Sequence, residues 1–259
     1  MEYLDSKRYN SEYKEDMIGY LDRYVTKPIR EPADIIKIFA RIEKGRKHLW
    51  LGLRAVFNYL EALGYYVDHL RKAMPRSSSV QNSIDLRIPS ETEIVNSIYK
   101  IESEKYHILY RVLIDSGLRL VEAVDLTNGF NPQDAQPVNG SAFYRIAIEQ
   151  FRGSKQAYYG YLTEKTFQEL VRLQGRDLKR RNASHYYDKI GCLSPKYLRK
   201  FAFDKMIELG VPESVADFIE GRVATRIGAK HYMSLVRQAD MFYGKYAEYI
   251  ASIRGMKRS

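Results

Sequence analysis

Six residues of this chain have the types and order needed to hold a phosphate and attack it: Arg119, Lys155, Lys196, Arg199, Arg222 and Tyr232. A guanidinium grips phosphate through parallel N–H donors, whereas a lysine ammonium can both contact phosphate and give up a proton. A phenol becomes a nucleophile once its proton is lost. Together the six describe a phosphate clamped by fixed cations beside a phenolic nucleophile. Singly, each has a plainer reading. Arg119 and Glu122, three apart, could form a helix-surface pair worth a few tenths of a kcal/mol. Lys155 could be an ordinary turn lysine, and Lys196 and Arg199 could decorate one helix face. Tyr232 is one of 22 tyrosines and could be a packed aromatic like its siblings.

The elements that carry these residues favour the joint reading. Arg119 follows Ser116-Gly117-Leu118, a helix break that aims the start of the next helix at a common point. Ser194-Pro195 is an N-cap followed by proline at the first helical position. It puts Lys196-x-x-Arg199 in the first turns of a helix, where free N–H groups and the dipole favour an anion. Arg222 follows Glu220-Gly221 and precedes Tyr232 by ten positions. Lys155 lies in Arg152-Gly153-Ser154-Lys155, between the aromatic and β-branched runs Ala142–Ile148 and Ala157–Leu162. That arrangement predicts a β-hairpin with Lys155 at or beside its tip.

The rest of the chain reads as helix. Apolar stripes over Ile35–Ile42 and Leu49–Leu63 precede a polar stretch from Pro75 to Asp85 that reads as a linker. Ser90 with Glu93 signals a capping box. Helices are expected over 106–115, 118–126, 195–208 and 212–220, with Asn128–Gly140 polar and turn-rich. In the tail, 234–253, Tyr243, Tyr246 and Tyr249 recur as a packing stripe. The expected fold is mainly α with a small antiparallel sheet, divided into domains at 1–83 and 84–259.

Composition sets limits on the function. With 259 residues, 45% hydrophobic and 29% charged, the chain is an ordinary globular sequence. Its net charge of +10 favours a polyanionic partner. No apolar run approaches the roughly 20 residues that span a bilayer, and the acidic N-terminus is unlike a signal peptide. The lone Cys192 fits a reducing compartment. The expectation is a soluble cytoplasmic protein with no membrane partner. The five histidines are dispersed with no i, i+4 pair, and no Gly-rich phosphate loop is present. Neither a metal nor a cofactor is expected.

On these residues the chain resembles the tyrosine recombinases, the integrase group that cuts DNA through a phosphotyrosine. Gly117-Leu118-Arg119-Leu120-Val121-Glu122 matches the family's first arginine segment, and Lys155 its hairpin lysine. Lys196-Tyr197-Leu198-Arg199 stands where the family has His-x-x-Arg, and Gly221-Arg222 where it has Gly-His or Gly-Trp. Tyr232 follows at the family interval. The two departures, Lys196 and Arg222, keep a cationic donor in each place and are similar to SSV-type integrases of archaeal viruses and plasmids.

The resemblance implies a helical DNA core-binding domain followed by a catalytic domain. It implies a 3′-phosphotyrosyl intermediate at Tyr232, with Arg119 and Arg199 on the phosphate, Lys155 as general acid, and Lys196 and Arg222 as supporting ligands. Glu122 would orient an arginine. Fixed cations would stand in for a metal. Double-stranded attachment sites, a tetramer on DNA and a C-terminal tail that docks on a neighbouring protomer come with the same resemblance. Two other readings of these residues are a type IB topoisomerase-like enzyme and a DNA-binding relative that has lost catalysis.

Overall fold

The structure is a computed structural model that describes residues 11–43, 45–76, 85–138, 140, 142–152, 155–222 and 234–254. The chain forms two compact units, Met1–Asp85 and Leu86–Ser259. Most of the expected linker, 77–84, lies outside the described residues.

The first unit is helical: α1 (Ser11–Tyr24), α2 (Pro32–Ala40), α3 (Arg46–Ala62) and α4 (Asp68–Lys72). The stripes read in the sequence are its core, with Ile35, Phe39, Leu49, Leu53 and Phe57 buried together. Trp50 is held at its rim by an indole N–H donated to the Pro75 carbonyl at 3.0 Å.

The second unit is built round one helix. It contains α5 (Glu91–Tyr99), α6 (Glu104–Ser116) and α7 (Leu120–Asn128), then strands β1 (Ala135–Pro137), β2 (Phe143–Arg152) and β3 (Lys155–Thr163). Helices α8 (Glu164–Arg172), α9 (Arg180–Lys189), α10 (Pro195–Glu208), α11 (Glu213–Ile219) and α12 (Leu235–Arg254) follow. The capping box at the head of α5 forms as read: Glu93 Oε2 accepts the Ser90 N–H at 2.8 Å, and Ser90 Oγ accepts the Glu93 N–H at 3.3 Å. From Ile108 to Ser116, α6 is buried on nearly every face, the mark of a helix that is itself the core.

A buried helix end needs acceptors satisfied from outside, because its last carbonyls have no partner within the helix. Here α12 supplies them. Tyr243 donates its hydroxyl to the Asp115 carbonyl at 2.9 Å, and Tyr246 donates to Ile114 at 2.7 Å. The tyrosine stripe is therefore core, as its spacing indicates. Within the chain, the tail that carries the stripe packs against α6. Through Arg254 it is an integral helix of its own unit.

The sheet is antiparallel in the order β1-β2-β3. The hairpin is longer than its apolar runs suggest, pairing Arg152 with Lys155 at its end. A bulge between Ala147 and Gln150, with Glu149 at φ 51, bends β2. Strand β1 falls in the stretch read as turn. It is three residues long, mostly exposed and ends in proline, as an edge strand can. Among the described residues, no helix is long and apolar enough to cross a membrane.

Candidate active site

Two glycine corners organise the site. Helix α6 stops at Ser116 because Gly117 turns left-handed, φ 61, returning its N–H to the Leu113 carbonyl at 3.0 Å. The chain is then extended at Arg119, φ −71 and ψ 150, which is the N-cap of α7 rather than its first turn. Glu122 folds back on it: Oε2 accepts the Arg119 backbone N–H and Oε1 accepts the guanidinium, each at 2.9 Å. Glu122 is 1% exposed, so this is a buried orienting pair and not a surface one.

The second corner closes α11. Gly221, φ 72, turns the chain so that the Arg222 N–H reaches the Asp217 carbonyl at 2.8 Å. No side chain fits at Gly221, because a Cβ there would stand 2.7 Å from the Cβ of Ala157 on β3. The hairpin therefore lies directly against this corner, with Tyr158 stacked on Phe218 of α11.

Each corner is gripped by an arginine placed by another element. Arg119, held at the first corner, donates to the Gly221 carbonyl at 2.9 Å. Arg199 of α10 donates one nitrogen to the Gly117 carbonyl at 2.9 Å and to the Glu220 carbonyl at 2.6 Å. Arg222 meets Asp217 Oδ1 at 3.1 Å and lies 4.7 Å from the centre of the Phe203 ring. The three guanidiniums grade outward: the side chains of Arg199, Arg119 and Arg222 are 11%, 23% and 40% exposed.

At the middle of these cations sits Glu220, fully buried. Its Oε2 is 3.0 Å from an Arg222 nitrogen and 3.3 Å from an Arg199 nitrogen. Among the described residues neither carboxyl oxygen has a hydrogen bond of good geometry, and neither has the second terminal nitrogen of Arg199. Burial pushes the Glu220 carboxyl up to about 7, against the pull of Arg199, Arg222 and Arg119. Burial likewise pushes the Arg199 guanidinium down to about 10, Glu220 resisting and the neighbouring arginines adding to the fall. Both partners of the pair shift the way desolvation demands, so burial outweighs their attraction. Glu220 had a faint signal in the sequence, as an acid at a helix C-terminus, where the dipole disfavours it.

Arg119, Arg199 and Arg222 are thus gathered at one place. Lys196 stands one turn before Arg199 on α10, exposed, its ammonium 4.5 Å from the centre of the Tyr197 ring. Lys155 begins β3, two positions before the Ala157 that packs on Gly221. Tyr232 lies in 223–233, outside the described residues, between Arg222 and the start of α12. Among the described residues no group of acidic, histidine or cysteine side chains is arranged to hold a metal ion. Chemically, the cluster can bind an anion and stabilise added negative charge upon it.

The sequence profile of the archaeal phage integrases matches residues 86–249, which contain the whole cluster. No curated protein matches the chain. Solved structures similar to it include an integrase from mycobacterium phage Brujita, at 11% identity, TM-score 0.44, covering 93% of this chain and 88% of the other. Another is the XerH site-specific recombinase bound to its difH substrate, at 14% identity and TM-score 0.48, covering 92% and 77%. A third is the XerA recombinase, at 16% identity and TM-score 0.39, covering 99% and 96%.

Proposed function

Because the chain belongs to the archaeal phage integrase family, and is thereby a tyrosine-type site-specific recombinase, we propose that the arginine cluster holds the scissile phosphate for attack by Tyr232. The convergence of Arg119 and Arg199 on the two glycine corners carries this reading. It fixes two cations in place before any substrate arrives, which is what stabilising a pentavalent phosphorus requires.

In this mechanism the Tyr232 oxygen, its proton lost, bonds to phosphorus while the bond from phosphorus to the 5′-oxygen breaks. The product is a 3′-phosphotyrosyl link that conserves the phosphodiester for rejoining. Arg119 and Arg199 neutralise the non-bridging oxygens. Lys155 delivers the proton that the departing 5′-oxygen takes up. Lys196 and Arg222 are supporting phosphate ligands, and Glu122 keeps Arg119 in its rotamer. The partner is double-stranded DNA at attachment sites, bound by four protomers. Residues 1–83 form the DNA core-binding domain and 84–259 the catalytic domain. The general basic charge supplies phosphate contacts that weaken steeply with salt.

The test is a nicked suicide duplex carrying the attachment site. An SDS-resistant protein–DNA adduct is expected from the wild type and none from Tyr232→Phe, and Arg199→Ala should slow adduct formation roughly 100-fold or more. An adduct that survives Tyr232→Phe refutes the nucleophile. Binding without any adduct marks a non-catalytic relative, and relaxation of plasmid without exchange between paired sites marks a topoisomerase-like enzyme.

A further inference from the structure

Glu220 has no place in the chemistry above, yet it sits fully buried among the cations that perform it. The groups facing it are Arg199 from α10, Arg119 with Glu122 from the head of α7, Asp217 and Arg222 from α11 and its corner, and Tyr246 from α12. Three arginines are thus set against three acids, Glu122, Asp217 and Glu220. With all of them ionised the cluster has no net charge to offer an anion.

Two of the acids are well held. Glu122 accepts two hydrogen bonds, and Asp217 meets the Arg222 guanidinium at 3.1 Å. Glu220 is different. Its carboxyl group is buried, with no hydrogen bond of good geometry to either oxygen among the described residues. Its Oε2 lies against a terminal nitrogen of Arg199 and one of Arg222. A buried carboxylate so poorly satisfied is the anion that gives way most readily.

Building on the phosphate-clamp reading, we propose that Glu220 is a positioning residue that competes with the scissile phosphate for Arg199 and Arg222 and takes up a proton from solvent when the phosphate enters. In the empty site the carboxylate keeps the like-charged guanidiniums together. When a phosphodiester arrives, its negative charge beside the carboxylate favours the protonated form. The neutral acid releases both arginines and leaves a net positive cluster. The carboxyl's ordinary state supports this, since burial already holds its proton affinity near neutral pH. Phosphate binding and proton uptake are therefore linked.

The experiment titrates the full chain with a short mixed-sequence DNA duplex, by calorimetry in two buffers of different protonation enthalpy. The wild type is expected to take up protons on binding, at most about one per site, and to lose affinity above about pH 7, approaching tenfold per pH unit. Glu220→Gln, neutral and of the same shape, should lack that uptake and show a flat profile. Glu220→Asp should retain the uptake. A wild type that takes up no proton overturns the proposal, as does a Glu220→Gln profile matching the wild type. Should Glu220→Gln not fold, the wild type and Glu220→Asp decide. Arg119→Ala and Arg199→Ala separate the two readings. If they bind DNA as tightly as the wild type, with the same salt dependence, the phosphate clamp itself fails. If they weaken binding while Glu220→Gln keeps the uptake, only the role of Glu220 fails.

Discussion

The last residue of α12 should carry a disproportionate share of the second unit's stability. Arg254 is 4% exposed and Asp115, its partner on α6, is fully buried. One terminal nitrogen of Arg254 donates to Thr163 Oγ1 at 3.1 Å and Thr166 Oγ1 at 2.9 Å. The other donates to the Arg111 carbonyl at 3.3 Å and to Asp115 Oδ1. The remaining carboxyl oxygen of Asp115 accepts the Thr163 N–H at 3.0 Å and its hydroxyl at 2.8 Å. Arg254→Met keeps much of the apolar stem but strands a buried carboxylate on the two Thr163 donors. Breaking a buried pair from one side costs about 3–5 kcal/mol. At about 2–4 °C per kcal/mol for a unit of this size, Tm should fall by roughly 6–20 °C. Far-UV circular dichroism measures it. The single tryptophan, Trp50, belongs to the first unit, so its fluorescence follows that unit separately. Adding Asp115→Asn to Arg254→Met removes the stranded charge, so the double variant should be more stable than Arg254→Met. A drop below about 2 °C in the single variant, or costs that simply add in the double, would refute the argument.

Other outcomes are predicted from the same structure. Gly221→Ala should destabilise by about 2–5 kcal/mol, combining left-handed strain with displacement of Ala157, and should slow adduct formation by moving the Arg119 acceptor. Gly19→Ala, on a helix with open space around it, is the control and should be neutral or slightly stabilising in thermal unfolding. The raised Glu220 carboxyl also links stability to pH. The folded state holds its proton more tightly than the unfolded chain, so this contribution is complete below about pH 4.5 and is lost as pH rises through about 7. That span is worth roughly 3 kcal/mol, and denaturant titrations of Glu220→Gln should show a flatter pH dependence than the wild type.

Much of this was legible because it is local. Gly117, Arg119 and Glu122 lie within six residues, and the helix break and the acid that orients the arginine follow from that short stretch, although Arg119 is the extended N-cap and not, as read, a helical residue. The Ser90 box and the α12 tyrosine stripe are read by spacing in the same way. What escaped depends on distance along the chain. Asp115 and Arg254 are 139 positions apart, and neither residue carries a local sign that it will be buried. Glu220 becomes distinctive only once α7, α10 and α11 bring three guanidiniums around it. Strand β1 escaped for a different reason: three residues, Ala135, Gln136 and Pro137, are too short a run to show alternation.

The mutual grip of the two glycine corners bears on how such a sequence can drift. Arg119 is placed by one turn and fastens the other, while Arg199 fastens the first and the carbonyl just before the second. Arg119, Arg199 and the two glycines make a closed loop in which altering any member loosens the rest. Lineages should therefore inherit these four positions as a set. Lys196 and Arg222 stand outside that loop, and they are the two places where this chain departs from the common recombinase pattern. The geometry thus predicts tolerance to substitution at Lys196 and Arg222 and intolerance at the four positions of the loop.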